Sequence, residues 1–64
     1  MIVPFIDSVT ATSVYLNPDF IMSIRPDPAD PHRVTIVKLK DGETLRVIGE
    51  HTEVAEKLTI TSAV

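Results

Sequence analysis

Catalysis and metal binding both need titratable side chains that converge, and this sequence holds few candidates. Its two histidines are His32 and His51. His32 lies near Asp27 and Asp30, and His51 lies beside Glu50 and Glu53. A zinc site needs three or four converging ligands. A histidine with only local carboxylates reads instead as an exposed polar residue beside a loop or a helix start. Nine carboxylates are spread along the chain, mostly at turns and over the helical stretch. An acid–base pair needs one member desolvated, so this scatter reads as a solvated surface. The two glycines, Gly42 and Gly49, both have structural explanations, and no segment matches a phosphate-cradling loop. No serine sits in a nucleophile-elbow sequence. With no cysteine, disulfides and thiolate metal sites are excluded. The expectation is a protein that is not an enzyme and carries no cofactor and no metal.

Two groups of residues remain as candidates for binding. Arg33, Lys38, Lys40 and Arg46 fall on one expected hairpin, with Lys38 and Arg46 as cross-strand neighbours. Such a face could meet phosphates. Against this stand the net charge of -3 and the lack of tryptophan, with Tyr15 the one tyrosine. Phosphate binding rests on an excess of Lys and Arg, and single-strand binders need aromatic platforms. Ordinary solubility charges on a strand explain the same residues. The second group is Asn17, Pro18 and Asp19, a stiff turn whose side chains can bond to nearby backbone. It reads as structural, and also as a recognition edge, since a fixed loop loses little entropy on binding.

The elements that must position these residues are mostly strands. Apolar residues fall in short Val- and Ile-rich runs separated by turn residues. Residues 2–8 form the first run, and Pro4 places it at an edge or near its own start. Residues 9–12 are a connection without glycine, and residues 13–16 a second strand. After the Asn17 turn, residues 20–25 form a third. Residues 26–32 carry three prolines, at 26, 28 and 31, and read as a stiff exposed loop. Residues 33–40 and 43–48 flank Asp41-Gly42, a strong hairpin signal of the type I′ kind. Thr52 is the expected cap of a short helix from Glu53 to about Leu58. Residues 59–64 fit either a strand or a frayed end. The fold class is therefore mostly β (α+β): a small antiparallel sheet or partly open barrel of about five strands with one short C-terminal helix.

The 64 residues make a single domain. The apolar opening ends at Asp7 and lacks a basic start. No run approaches the roughly 20 apolar residues of a membrane span, so the expected location is cytoplasmic. A chain this short has a thin core, and without disulfides self-association is a natural supplement. The strands favour it. Thr35, Val37 and Leu39 oppose Val34, Ile36 and Lys38, and Val3 and Phe5 oppose Ile2 and Ile6. In the third strand Phe20, Met22 and Ile24 oppose Ile21. Apolar residues on both faces mean either closure into a barrel or a face that meets another subunit. A homo-oligomer with a protein partner is expected; the alternative is a small nucleic-acid-binding regulator that uses the basic hairpin of residues 33–46.

The segment Val14-Tyr15-Leu16-Asn17-Pro18-Asp19-Phe20-Ile21, with Ile24 beyond it, resembles the Leu-Asn-Pro-Asp-x-Ile-x-x-Ile segment of the small flagellar FlbD/SwrD-like family. Val34-Thr35-Ile36-Val37-x-Leu39-x-Asp41-Gly42 and Val47…Glu50…Glu53-Val54 follow the same order of elements. The resemblance runs from Val14 to about Leu58. It implies a cytoplasmic, non-enzymatic accessory protein of flagellar or swarming motility, with no catalytic residues to carry over.

Overall fold

The computed structural model describes residues 2–62, with side chains through residue 59. Strands β1 (Val3–Ile6) and β2 (Ser13–Leu16) form one antiparallel hairpin. A 3-10 turn (Pro18–Phe20) leads into β3 (Ile21–Pro26), which pairs with β4 (Val34–Leu39), and β4 pairs with β5 (Thr44–Ile48). The helix α1 (His51–Ser62) follows. The two sheets touch at one seam, where Asp7 bridges Val47 and the Ser8 N–H donates to the Arg46 carbonyl at 2.8 Å. The strands thus run in the spatial order β2, β1, β5, β4, β3. They curve around α1 but do not close into a barrel.

Alternation explains which residues enter the core. Val3, Phe5, Leu16, Thr35, Val37, Leu39 and Val47 are buried on the inner face, where Val54 and Leu58 of α1 meet them. The Lys57 ammonium lies 5.8 Å from the centre of the Phe5 ring, so the helix also covers β1 with a charged tip. Pro4 costs no ladder bond. The Asp7 N–H donates to Thr12 at 2.8 Å, which makes Asp7 and Thr12 a bonded pair. Counting back by two from Asp7, Phe5 and Val3 bond to β2, whereas Pro4 stands at a position that does not.

Several local expectations need correction. β3 does not alternate from Phe20, because a bulge between Ile21 and Ser23 shifts its register against β4. Ile21 and Ile24 both pack on the core, and Met22 is left exposed. The loop between β4 and β5 is not a two-residue type I′ turn. The Leu39 N–H donates to Glu43 and the Gly42 N–H to Leu39, so three residues lie between the paired ends. Only Gly42, at φ +94°, takes the left-handed conformation there, as in a type I turn closed by a glycine bulge. Residues 26–32 are not wholly exposed: Pro26 ends β3, and Asp27 is buried. The helix begins at His51, before the expected Thr52 cap. Residues 59–62 continue it rather than forming a strand, and residues 63–64 lie outside the described residues. The glycine-free connection between β1 and β2 places Ala11 at φ 60°.

The turn from β5 into α1 is fixed at Gly49. Its N–H donates to Arg33 at 2.6 Å, and its carbonyl accepts the buried Thr35 hydroxyl at 2.8 Å. At φ +143° the backbone suits glycine, and an added Cβ would lie 3.1 Å from Val54 Cγ2. At Gly42 nothing lies within 4 Å of such an atom. Gly49→Ala is therefore expected to cost about 1–3 kcal/mol and Gly42→Ala distinctly less, by urea melts of both. Equal losses would mean that Val54 yields freely and only backbone strain matters.

Candidate functional site

The sequence candidates scatter over the surface. Asn17 caps the 3-10 turn: its side-chain oxygen accepts the Asp19 N–H at 3.0 Å, and its carbonyl accepts the Phe20 N–H at 2.9 Å. Pro18 supplies the first turn position, where no donor is needed. The segment's residue types are thus accounted for by the turn itself. Arg33 precedes β4, and its carbonyl anchors Gly49. His32 and His51 are exposed. Among the described residues no three metal-ligating side chains gather.

Lys38 and Arg46 share the outer face of the sheet but are not directly opposed. Lys38 stands between Ser23 and Thr44, and Arg46 stands opposite Ile36. Arg25, opposite Ile36 on the other side, joins them. It lies outside the hairpin, and only the register of β3 brings it here. Arg25, Ile36, Lys38, Gly42 and Thr44 line a shallow hollow of about 310 Å³. Arg46 is turned toward Asp27, Nε to Oδ2 at 3.3 Å. Arg25 and Lys38 have no carboxylate partner among the described residues.

Asp27 was not singled out by sequence, because nothing local marks it as buried. It organises the proline-rich loop. Its N–H donates to Val34 at 3.0 Å, its Oδ1 accepts from Ala29 at 2.9 Å, and its carbonyl accepts from Asp30 at 3.1 Å. Arg46 then neutralises the remaining oxygen.

Beyond the basic rows the outer face becomes apolar. The Asp7–Val47 bridge sets Ile6 opposite Ile48, beside Val34. Pro4 stands opposite Tyr15. Tyr15 is 66% exposed, Ile48 52% and Ile6 40%, with Ile2 at 64% just before β1. These apolar side chains are neighbours on the outer face rather than scattered ones. A second depression, about 250 Å³, runs between β3 and α1 and is lined by Ile21, Met22, Ile24, Ala55 and Leu58 among others.

At the helix start Glu50 is the cap. Its carbonyl accepts the Val54 N–H at 3.0 Å, while its carboxylate accepts the Thr52 N–H at 2.9 Å and the Glu53 N–H at 3.3 Å. The Thr52 hydroxyl and His51 Nδ1 lie at 3.2 and 3.6 Å. Desolvation opposes the charge, but the bonds from Glu53 and Thr52, helped by His51, outweigh it and hold the carboxyl below its ordinary value of 4.5. A carboxyl lowered in the folded state stabilises above its unfolded value, and that stabilisation is lost as pH falls through the folded one. Glu50→Gln is expected to flatten the acid side of the stability profile below about pH 4.5, read as urea midpoints followed by helical circular dichroism. An unchanged acid slope would show that the Glu50 charge does not hold the cap.

No family model, curated protein or solved structure matches this chain.

Proposed function

We propose that this chain is a non-catalytic interaction and assembly protein, a cytoplasmic accessory factor of flagellar or swarming motility that self-associates and binds another protein through its outer sheet face. One observation carries the binding role: the strip of Pro4, Ile6, Tyr15 and Ile48 on the face turned away from the core. Among the described residues eight buried apolar ones form the core, yet large apolar side chains are spent on the solvent side. Such side chains gain their burial free energy, roughly 1.5–3 kcal/mol each, only when a partner covers them. The motility role rests on the resemblance around Leu16-Asn17-Pro18-Asp19. Affinity capture from a motile host with the wild-type chain is expected to retain an identified component of the flagellar or swarming apparatus. The Ile6→Glu, Ile48→Glu double variant, altered only at exposed positions, is expected to lose it. Equal retention by both would remove the outer face from the reading, and retention of proteins unrelated to motility would remove the motility role.

The pairing of Arg25 with Lys38 beside a shallow hollow favours a second reading, a small nucleic-acid-binding regulator that uses residues 33–46. Phosphate contacts weaken steeply with salt. On this reading a short duplex or single strand is retained at about 50 mM salt and released by about 200 mM. No retention at the lower salt would end it.

A further inference from the structure

Two strands of the curved sheet lie at its open ends, and they are finished differently. β3 is blunted. A bulge interrupts it at Met22, the Ile21 N–H is taken by the Pro18 carbonyl, and Pro26 has no donor. These are the usual devices against strand-to-strand association. β2 has none of them. Its residues, Ser13-Val14-Tyr15-Leu16, include no charge, proline or glycine and form no bulge with β1.

The backbone of β2 also has a defined parity. Thr12, and by alternation Val14 and Leu16, bond to β1. Ser13 and Tyr15 therefore turn their N–H and carbonyl groups to the open side, where no described backbone group meets them. We infer that a second copy of this chain pairs here, β2 against β2 and antiparallel, about a two-fold axis through Val14. This rests on the self-association reading above and names its surface.

The strand is self-complementary in that arrangement. Ser13 of each copy stands opposite Tyr15 of the other, and the two pairs exchange about four N–H to carbonyl bonds. Val14, half-buried at the margin of the core, meets its own copy on the inner side. Tyr15 lies between Pro4 of its own chain and Ser13 of the second copy, within diagonal reach of the second Tyr15. An isologous contact of this kind closes on itself and does not grow into a filament. A proline-bearing strand from elsewhere would lack a donor for this ladder, and a charged one would not match the apolar outer strip that reaches this edge.

Tyr15→Pro tests the pairing. It removes the donor that faces the open side, leaves the bonds to β1 in place, and alters a side chain that is 66% exposed. Light scattering over a dilution series is expected to show a dimer for the wild type and for Tyr15→Phe. Tyr15→Pro is expected to dissociate at least about tenfold more readily, with an unchanged circular dichroism spectrum. In hydrogen exchange the Ser13 and Tyr15 amides of the wild type are expected to be protected when concentrated and to lose protection on dilution. Should Tyr15→Pro misfold, this second measurement decides alone. Unprotected Ser13 and Tyr15 amides in the dimer, or a Tyr15→Pro variant that associates like the wild type, would overturn the inference. A wild-type chain that stays monomeric to about millimolar concentration would overturn it too. If Ile6→Glu, Ile48→Glu alone abolished the dimer, self-association would stand and move to the outer strip, and the edge pairing would fall.

Discussion

The arrangement depends on one pinned residue. Gly49 gives its N–H to the Arg33 carbonyl and its carbonyl to the Thr35 hydroxyl, so both of its backbone groups are held at the start of β4. Thr35 is fully buried, and a buried hydroxyl left unmatched costs about 1–3 kcal/mol. That is a large share of the few kcal/mol available to a chain of this size. The corner consequently has one geometry. It sends α1 back across the inner face, with Val54 against Gly49 and Leu58 further along the core. A 12-residue helix is marginal alone. Here the Gly49 corner fixes its direction, and the Glu50 cap satisfies its first donors.

The corner also decides what stays uncovered. α1 packs on β1, β3, β4 and the 3-10 turn, which fills the inner side of the sheet. Among the described residues α1 is the one α-helix and no second layer covers the outer side, so the sheet carries both kinds of surface there. Its β3 end is basic, with Arg25 and Lys38 flanking Ile36. Its β1–β2 end is apolar. Asp27 lies in the loop after β3 and takes up Arg46, which leaves fewer cations free on that face than the sequence suggests. The charge that looked most suited to phosphate is partly spent on holding a loop.

What the sequence conveyed follows from how local each cue is. β4 pairs on both sides, so its alternation is undisturbed, and Thr35, Val37 and Leu39 point inward as their spacing says. β3 pairs on one side only and has room for a bulge, which no residue in it announces, so Met22 was grouped with Ile24 although only Ile24 packs on the core. Asp41-Gly42 does mark a turn. Whether one or both residues need positive φ depends on the pairing of Leu39 with Glu43, which lies outside the dipeptide. Glu50 caps the helix with a longer side chain than the usual Ser, Thr, Asp or Asn, so Thr52 drew attention instead. Asp27 and Arg25 gain their roles only from β-register. Ala11 occupies a conformation that favours glycine, and nothing in its neighbours shows this. Of the seven candidate site residues, six were legible as exposed and polar, and Pro18 is half-buried. The apolar strip was legible as a two-sided pattern, but not as a strip, because Ile6 and Ile48 meet only across the seam.

The open edge and the strip bear on each other. Tyr15 belongs to both, since its side chain extends the outer face and its backbone faces the free side of β2. A pairing of two copies through β2 would set Tyr15, Pro4 and Ile6 of one copy beside those of the other on one continuous outer surface. A stable interface needs roughly 800 Å² per partner. Two strips side by side would double the contact area for a partner that spans them. For a partner with two equivalent segments, the second contact would form at the high effective concentration set by the first. Self-association would then be more than a supplement to a thin core: it would assemble the binding surface. A charge placed at Ile48 would weaken partner binding without touching the edge, whereas a proline at Tyr15 would weaken both, because the second strip leaves with the second copy.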